Sequence, residues 1–290
     1  MDVSIIIVNY NTEKLISECI KSIYEKTQGI SFEIIVVDNA SPIPPNTLKK
    51  SNKIIFIQSK INLGFGKANN LGVQHATGDY IFCLNPDTIL INNAIKELFD
   101  FMQKNSYVGI CGSNLYQQDL TPGHSYEMLE PSIIQETLSL RGSTSKRFNE
   151  DFNSSDTPKK VSHVVGAALM IPRKLFNEVG GFDKDIFMYM EETLLCHLVK
   201  KKGYVIYNVP QSKIIHLEGK SFQIKRHNLE TYLSGRKIYF TKRYHSIYYI
   251  LCHTIYITNI GLNIIYSLIT KNKQQLTKWK EYFSIAIKHF

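Results

Sequence analysis

Short apolar runs alternate with helix-patterned segments along the N-terminal part of the chain. Three runs, at residues 3–8, 32–37 and 54–58, are rich in β-branched residues and almost free of charge. Such runs are typical of strands that are buried on both faces of a sheet. Between them, residues 12–26 and 67–75 repeat apolar side chains with the period of a helix. This alternation predicts an α/β fold in which helices flank a mostly parallel sheet.

A fourth apolar run, over residues 79–84, is followed by Asn85-Pro86-Asp87. Proline has no N–H to donate to a neighbouring strand, so the strand is expected to end there and to leave Asp87 at its carboxyl end. In open α/β sheets ligands collect at that edge, which makes Asp87 a candidate metal or ligand contact. The same residues are also typical of a turn that precedes a helix beginning near Asn92. On their own they leave both interpretations open.

The rest of the chain continues the alternation less regularly. Residues 119–160 are rich in Ser, Thr, Asn, Pro and charged residues, which predicts a long loop or lid beside the site. The other elements predicted from the pattern are helices over residues 94–104 and 188–200 and strands over residues 108–111, 164–171, 204–209 and 214–217.

Positive charge is concentrated in the C-terminal third. The 290 residues carry a net charge of +9, but residues 200–290 contain 16 Lys and Arg against 3 Asp and Glu, so the preceding part is mildly acidic. The length suits one large domain with an appendage, and we divide the chain into residues 1–225 and a basic, apolar, helical extension over residues 226–290. A basic extension indicates an anionic partner. No motif that reads nucleic-acid bases is present, so a membrane surface is favoured over nucleic acid.

This extension contains a long uncharged segment. No Lys, Arg, Asp or Glu occurs in residues 244–270, while Lys242, Arg243, Lys271 and Lys273 flank it. Its length is sufficient to cross a bilayer, which takes roughly 20 residues. His, Thr, Asn and Ser residues interrupt it, however, at positions that do not fall on one helical face. We therefore predict one or two helices that lie against the membrane interface, rather than a membrane span or a helical hairpin in solution.

The cysteines and the first apolar run indicate the compartment. Five scattered cysteines without a Cys-x-x-Cys pair argue against a zinc site and against a disulfide framework. The run at residues 3–8 is too short for the core of a signal peptide. These features predict a protein of the reducing cytosol. Together with the basic, apolar extension, they predict peripheral association with the cytoplasmic face of the membrane.

Acidic side chains follow several of the predicted sheet elements. Asp38 and Asp87 come at the ends of two strands, the pair Glu191-Glu192 lies beside a further element, and His216 follows the last strand. If these residues meet at one edge of the sheet, they form a polar cleft around one divalent ion and an anionic ligand.

Eight short motifs, spread in order over roughly residues 3–243, carry a resemblance to a known family. They are Ser4-Ile5-Ile6-Ile7-Val8-Asn9-Tyr10-Asn11, Val37-Asp38-Asn39-Ala40-Ser41, Asn62-Leu63-Gly64-Phe65-Gly66-Lys67-Ala68-Asn69-Asn70, Leu84-Asn85-Pro86-Asp87, Gly166-Ala167-Ala168-Leu169-Met170-Ile171-Pro172-Arg173, Gly181-Phe182-Asp183, Phe187-Met188-Tyr189-Met190-Glu191-Glu192 and His216-Leu217-Glu218-Gly219-Lys220-Ser221. In this order and number the motifs resemble those of family 2 inverting glycosyltransferases of the GT-A fold, in the branch that contains rhamnosyltransferases of polysaccharide and O-antigen assembly.

The resemblance implies a role for each motif. For the nucleotide-sugar it implies that Asp38 contacts the base, that Asn9 and Tyr10 line the same pocket, and that Asn62 and Asn70 lie against the nucleotide. For the metal it implies that Asp87 ends the family's Asp-x-Asp motif, with Asn85 in the place of the first Asp, and that His216 contacts the metal or the diphosphate. For catalysis it implies that Glu192, with Glu191 beside it, supplies the general base.

The implied activity is transfer of a sugar with inversion, with Mn²⁺ or Mg²⁺ as cofactor. The donor it points to is dTDP-rhamnose, and the acceptor is a hydroxyl of a lipid-linked or growing saccharide at the inner leaflet. A UDP-sugar donor is an alternative. A sugar nucleotidyltransferase would need a glycine-rich loop after the first strand, where Asn9-Tyr10-Asn11-Thr12 has no glycine. A non-catalytic binding module also stays open, because Thr193-Leu194-Leu195 lacks the third acid that is usual in the family.

Overall fold

A twisted sheet of nine strands forms the centre of the molecule. The computed structural model describes residues 1–43, 45–140, 151–217 and 225–290. The strands are β1 (Val3–Asn9), β2 (Phe32–Asp38), β3 (Ile55–Gln58), β4 (Tyr80–Leu84), β5 (Thr88–Leu90), β6 (Val108–Tyr116), β8 (Lys159–Val161), β10 (Ala168–Pro172) and β11 (Val205–His216), in the order β3-β2-β1-β4-β10-β6-β11-β5, with β8 also paired to β11. A separate two-stranded sheet pairs β7 (Tyr126–Glu127) with β9 (His163–Val164).

Helices cover this sheet and form the C-terminal part. They are α1 (Glu13–Lys26), α2 (Asn46–Lys49), α3 (Phe65–Val73), α4 (Ala94–Lys104), α5 (Ile133–Leu140), α6 (Arg173–Glu178), α7 (Glu191–Lys201), α8 (Lys225–Arg243), α9 (Ser246–Ile269) and α10 (Lys273–Ile287). Two apolar clusters lie on opposite faces of the sheet, one packed against α1 and α4 and the other against α6 and α7.

Most strands of the central sheet run in the same direction, as the continuous apolar runs predicted. Parallel pairing joins β3, β2, β1 and β4, and β11 is parallel to β6. Strand β10 is antiparallel to both β4 and β6, so it separates two blocks of strands that share one direction. All seven residues of β1 are buried, which is the pattern expected of a strand covered by helices on both faces.

The strand register brings several chain segments to one edge of the sheet. Asn9 pairs with Asp38, and Asp38 pairs with Gln58, so β1, β2 and β3 end together. The first residue of the antiparallel β10, Ala168, lies opposite the last residue of β4. His216, the last residue of β11, pairs with Thr88. The carboxyl edge that the sequence suggested is therefore a single continuous feature.

Strand β11 differs from its prediction. The pattern predicted two strands, over residues 204–209 and 214–217, but the backbone continues as one strand through Pro210. The register on β6 shifts between Val209 and Lys213, so that an irregularity contains the proline. A bulge leaves residues unpaired and therefore tolerates a residue without an N–H.

The segment predicted as a long loop or lid, over residues 119–160, is also corrected. Its described residues include β7, α5 and the start of β8, while residues 141–150 lie outside the described part. Helix α5 packs against α9, and the N–H of Ile133 donates to the Tyr248 hydroxyl at 2.9 Å. The polar composition misled the prediction because the partners of this helix lie more than 100 residues further along the chain.

The predicted C-terminal helical extension is present as α8, α9 and α10. Among the described residues, α9 is the one helix that is long and apolar enough to cross a membrane. One of its faces packs against protein, with Tyr249, Cys252, His253 and Ile260 buried. The opposite face is exposed and apolar, and its large side chains are Ile247, Ile250, Leu251, Leu262, Ile265, Tyr266, Leu268 and Ile269.

The predicted division at residue 225 falls next to residues 218–224, which lie outside the described part. Helix α8 nevertheless packs tightly onto the body that the sheet forms. Tyr239 and Phe240 of α8 are fully buried in a cluster with Ile186, Met190 and Leu194. The last turn of α8 adds ion pairs, one of which joins Arg243 to Glu130.

A buried arginine ties α8 to its neighbours. Arg236 is only 1% exposed and pairs with Glu136 of α5. Its guanidinium also donates to the carbonyl oxygen of Cys252 at 3.3 Å and lies 5.0 Å from the ring centroids of both Phe240 and Tyr256. A charge buried to this extent is tolerated because it is paired and hydrogen-bonded.

We expect Arg236→Met to lower the free energy of unfolding by about 3 kcal/mol, because it removes the cation that Arg236 supplies to the partly buried Glu136 carboxylate. Chemical denaturation measures this loss. The matched control is Lys280→Met on the exposed surface of α10, which should change stability by less than about 0.5 kcal/mol. Equal stabilities of the two variants would contradict the structural role of Arg236.

Candidate functional site

Asp38 is the centre of a polar network at the ends of β1, β2 and β3. Its carboxylate is fully buried and accepts hydrogen bonds from Asn9 Nδ2 at 2.7 Å and from the Ser41 hydroxyl at 2.5 Å. Gln58 Nε2 donates to the other carboxylate oxygen. Ala40, between Asp38 and Ser41, has a φ of 63°, so the chain turns sharply back toward the carboxylate. The network holds an anionic group rigidly at the strand ends.

Asn39 is a site residue that the sequence reasoning missed. Its Nδ2 donates to Asn62 Oδ1 at 2.9 Å and to the carbonyl oxygen of Gly64 at 3.2 Å, and its Oδ1 accepts from the N–H of Leu63 at 2.8 Å. Asn39 therefore ties the loop of residues 62–64 to the end of β2. Its place in the Val37-Asp38-Asn39-Ala40-Ser41 motif was the available signal.

Two predicted nucleotide contacts, Tyr10 and Asn62, are accessible to a ligand. Tyr10 is 44% exposed and follows directly after β1, and Asn62 is exposed in the loop that Asn39 holds. Asn70 has a different environment. Its Nδ2 donates to the Phe182 carbonyl at 2.7 Å and its Oδ1 accepts from the Phe182 N–H at 3.0 Å. Both ends of its amide are thus bound to the backbone of the segment before α7.

The loop before α3 lies directly against that same segment. The N–H of Phe65 donates to the Phe187 carbonyl at 2.9 Å. Gly64 has a φ of 77°, and a side chain there would overlap the Phe187 carbonyl oxygen. Glycine is the residue that tolerates both this conformation and this approach. Residues 62–65 and residues 182–187 are therefore fixed relative to each other.

Asp87 and His216 meet where β4 and β11 end. Asp87 is 3% exposed, and its Oδ1 lies 3.4 Å from Nε2 of His216. Asn85 Nδ2 lies 3.3 Å from the same imidazole nitrogen, and the N–H of Leu217 donates to the Asp87 carbonyl at 2.9 Å. The structure thus brings together the three residues that were predicted for metal and diphosphate. A carboxylate beside an imidazole suits a divalent ion that takes its remaining ligands from phosphate oxygens.

Glu191 and Glu192 begin α7 after a strained turn. Tyr189 and Met190 have φ values of 69° and 74°, a left-handed conformation that two successive non-glycine residues rarely adopt. Glu191 is 4% exposed, and its Oε2 is buried without a hydrogen-bond partner. Glu192 is half-buried and therefore the more accessible of the two. Their position matches the preference of carboxylates for the first turn of a helix.

Burial changes the acidity of both glutamates. Desolvation, together with the charge of Glu192, raises the pKa of Glu191 well above its ordinary value. Desolvation also raises the pKa of Glu192. Two adjacent carboxyls that resist ionisation are characteristic of a site that exchanges protons.

Glu192 lies near Asn85, because the neighbouring residues Gly166 and Ala167 contact one of them each. A Cβ added at Gly166 would lie 3.5 Å from Cβ of Glu192, and the next residue, Ala167, accepts a hydrogen bond from the N–H of Asn85 at 2.9 Å. Glu191 lies on the other side, because a Cβ added at Gly66 would be 3.6 Å from its Cβ. The acid pair is thus located between the loop before α3 and the end of β4.

The side chains of Asp38, Asp87, Glu192 and His216 do not form a single cluster, and their gathering around one cation stays a prediction. In the described part of the chain, no three His, Cys, Asp or Glu side chains are grouped so that they could hold a metal ion. Asp38 instead bonds to Asn9, Ser41 and Gln58. Only Asp87 and His216 of the four lie within contact distance of each other. The edge therefore contains three separate polar centres: the Asp38 network, the Asp87–His216 pair and the acid pair.

The five cysteines are all buried and free, as expected of a chain without a disulfide framework. Desolvation raises the pKa of the Cys83 thiol to about 12, so this cysteine is not a nucleophile at neutral pH.

Two solved structures share this architecture over most of the chain. A mannosyltransferase from Pyrobaculum calidifontis, solved with GDP-Man and Mn²⁺, covers 99% of this chain and 86% of its own, with a TM-score of 0.60 and 15% identity. GalNAc-T7, solved with UDP, GalNAc and Mn²⁺, covers 84% of this chain and 50% of its own, with a TM-score of 0.59 and 17% identity. These likenesses confirm the predicted GT-A fold.

Sequence relatives point to the same class of protein. The low-salt glycan biosynthesis hexosyltransferase Agl10 of Haloferax volcanii is 27% identical over 218 residues, which are 74% of this chain and 66% of that protein. The rhamnosyltransferase WbbL of Escherichia coli K12 is 24% identical over 225 residues, 74% of this chain and 83% of that protein. An N-acetylglucosaminyl-diphospho-decaprenol L-rhamnosyltransferase of Mycobacterium tuberculosis is 25% identical over 210 residues, 63% of this chain and 66% of that protein. The matched regions thus span less than two thirds of the Haloferax and Mycobacterium proteins.

A family model gives the assignment. The model of glycosyl transferase family 2 matches residues 4–180, which is more than half of the 290 residues and includes both the Asp38 network and Asp87. The chain belongs to glycosyl transferase family 2.

Proposed function

We propose that this protein is an inverting glycosyltransferase that moves a sugar from a nucleoside diphosphate to a hydroxyl of a saccharide acceptor. The observation that carries this proposal is the position of the acid pair, whose raised pKa suits proton transfer, beside the strand end that bears Asn85 and Asp87. The donor's anionic diphosphate and the acceptor hydroxyl then meet in the gap between these two centres.

Glu192 acts as the general base. Its carboxylate removes the proton of the acceptor hydroxyl while the hydroxyl oxygen forms a bond to the anomeric carbon. The bond from that carbon to the diphosphate breaks, and its electron pair leaves on the phosphate oxygen. A single displacement of this kind inverts the anomeric centre. We assign the base to Glu192 rather than to Glu191 because Glu192 is the more exposed of the pair.

Asp87 and His216 form the site for Mn²⁺ or Mg²⁺. Among the described residues these two side chains would hold the ion, which would complete its coordination with the diphosphate and water, a mode that is common for Mg²⁺ in phosphate chemistry. A divalent ion there supplies charge that neutralises the departing diphosphate. Asn85 contacts His216 and keeps the imidazole in place.

The Asp38 network forms the nucleotide end of the donor site. Asp38 accepts hydrogen bonds from the base, Asn9 holds the carboxylate, and the exposed ring of Tyr10 lies over the base. Asn62 contacts the nucleotide through the loop that Asn39 fixes. Asn70 acts indirectly, because both ends of its amide are bound to Phe182.

For the donor sugar we propose rhamnose, carried by dTDP, with a UDP-sugar as the alternative. Two relatives are named rhamnosyltransferases, and the name of the Mycobacterium protein includes a diphospho-decaprenol acceptor. A lipid-linked or growing saccharide of a cell-surface polysaccharide is accordingly the proposed acceptor. An acceptor of this kind lies at the membrane, which agrees with the exposed apolar face of α9.

We propose that the protein binds peripherally to the inner leaflet through that face. Over 24 residues α9 is about 36 Å long, and its outer face carries no charge. The other face is packed against protein, so α9 cannot be surrounded by lipid as an isolated span. Lys271, Lys273 and the exposed Lys278 and Lys280 add attraction to anionic headgroups, at about 1 kcal/mol each.

We expect Glu192→Gln to lower kcat by about 100-fold or more, since a positioned base contributes this much or more to proton transfer. Turnover is measured as release of nucleoside diphosphate with dTDP-rhamnose, UDP-sugars and GDP-mannose as donors. Glu178→Gln, at an exposed glutamate, is the control and should match the wild type. Because burial raises the pKa of Glu192, wild-type kcat should fall with decreasing pH at values above the ordinary glutamate pKa, as the base becomes protonated. Full turnover in Glu192→Gln would remove the base assignment, and product with retained configuration would refute the mechanism.

Chelation of divalent ions should abolish turnover, and Mn²⁺ or Mg²⁺ should restore it. Asp87→Asn removes the Asp87 carboxylate from the proposed metal site, so it should need a higher Mn²⁺ concentration and reach a kcat lower by about 100-fold. Asp79→Asn, at the exposed opposite end of the same strand, is the matched control. Undiminished activity in EDTA, or equal Mn²⁺ requirements in the two variants, would contradict this site.

Charge on the outer face of α9 should weaken membrane binding. We expect the double variant Ile250→Glu, Ile265→Glu to bind vesicles of equal parts phosphatidylcholine and phosphatidylglycerol about tenfold less than the wild type, because it places charge in the apolar interface. Flotation measures the bound fraction, and Leu120→Glu, an exposed apolar residue outside the extension, is the control. Equal flotation of both proteins would show that α9 does not bind the membrane.

A further inference from the structure

The eight residues between Phe182 and α7 lead directly into the acid pair. They end in the left-handed Tyr189 and Met190, a conformation that neighbouring structure must hold in place. Contacts with the loop before α3 fix one side of this segment, through Phe187. What fixes its other side is α8, a helix that enters none of the catalytic roles above.

Helix α8 holds this segment at both ends. Near the start, Lys242 Nζ donates to both carboxylate oxygens of Asp183, at 2.7 and 2.6 Å, and to Asp185 at 2.7 Å. Near the other end, Gly235 lies against the backbone of Tyr189, so closely that a methyl group there would overlap the Tyr189 carbonyl oxygen. The same methyl group would lie 3.3 Å from the Met188 carbonyl oxygen.

Apolar packing joins the two contacts. Ile186 and Met190 of the segment and Leu194 of α7 are buried against Tyr239 and Phe240, which lie between Gly235 and Lys242 along α8. The spacing of Gly235, Tyr239 and Lys242, four and then three residues apart, places these three on one face of the helix. This face therefore follows the segment from Asp183 to the first turn of α7.

We propose that α8 is the positioning element of the catalytic acid pair, and that Gly235 is the contact that sets the position of Glu192. Gly235 contacts the Tyr189 carbonyl, and Glu191 follows Tyr189 by only two residues. A shift of this carbonyl therefore moves the first turn of α7. The proposal rests on the proposed function in one respect, the assignment of Glu192 as the base. Gly235 itself touches neither donor nor acceptor and is a positioning residue.

The sequence provides a matched pair of variants. Gly235→Ala and Gly261→Ala both place alanine in a helix of the extension, and both raise helix propensity by the same amount. No atom lies within 4 Å of a Cβ added at Gly261, whereas one added at Gly235 meets Tyr189. The difference between the two variants therefore reports the contact with Tyr189.

We expect Gly235→Ala in the full chain to lower kcat by about 100-fold, the order of loss that a misplaced catalytic group produces. The KM for the nucleotide-sugar should stay within about twofold of the wild type, because the Asp38 network is unchanged. Backbone amides of residues 183–193 should exchange with deuterium faster than in Gly261→Ala, which should match the wild type in every measurement.

Three results would overturn the proposal. The first is a kcat for Gly235→Ala equal to that of Gly261→Ala. The second is faster amide exchange without a loss of kcat, since the segment would then be braced but not for catalysis. The third is a loss of kcat, donor affinity and thermal stability together, which is the outcome of general damage. If Gly235→Ala does not fold, Lys242→Gln tests the other end of the segment through the same measurements, with Lys104→Gln, at an exposed lysine at the end of α4, as control.

Failure of the proposed function has a different signature. If the wild type turns over none of the donors, the assignment of the base falls, while amide exchange in the matched variants still decides whether α8 holds residues 183–193. If the wild type and Glu192→Gln are equally active, the base is a different residue. An unchanged kcat in Gly235→Ala would then show that α8 does not position that residue either.

Discussion

Burial of two adjacent carboxyl groups is the constraint on which the rest of this site depends. Glu191 and Glu192 repel each other and lose solvation, so neither would stay at the start of α7 without a rigid frame. Much of this frame is backbone, and the charge of His124 partly offsets the rise in the pKa of Glu192. Gly66 lies beside Cβ of Glu191 and Gly166 lies beside Cβ of Glu192, and the left-handed turn at Tyr189 and Met190 leads directly into both glutamates.

The separation of charge along the sheet edge follows from the same constraint. A site that placed Asp38, Asp87 and the acid pair around one point would concentrate like charges and raise every pKa further. The strand register avoids this by giving Asp38 its own amide and hydroxyl donors and by placing His216 beside Asp87. Asp38 and Asp87 therefore each have polar partners of their own, and the two centres stay apart along the edge.

The elements that were predicted well are those with a clear hydrophobic pattern within a short stretch of sequence. Strands β1 to β4 are continuous apolar runs with clear ends, so their positions and their parallel arrangement could be read from the chain. The order of polar residues after those strands likewise indicated which side chains share an edge. The predictions were less accurate where a partner is distant. Helix α5 lies in a stretch whose overall composition is polar enough to resemble a loop, and its contacts with Tyr248 and Arg236 span 100 residues or more of the chain.

The functional residues that were missed share this cause. Asn39 lies in a quoted motif and Gln58 ends a predicted strand, but the contacts of both depend on a second loop or strand that lies opposite. The predicted strand stopped at residue 209, before Pro210. The bulge that accommodates this proline depends on the pairing with β6, which the sequence pattern does not show. Spacing along one segment cannot report a contact that another segment creates.

The packing of α8 changes how the two parts of the chain should be regarded. A boundary after residue 225 suggests a catalytic body that could be produced alone, with a dispensable anchor removed to improve solubility. Such a truncated protein would lose Tyr239 and Phe240 from a shared core and expose Ile186, Met190 and Leu194 to water. A shortened form of this protein would therefore have to end beyond α8, and it would keep part of the apolar surface of the extension.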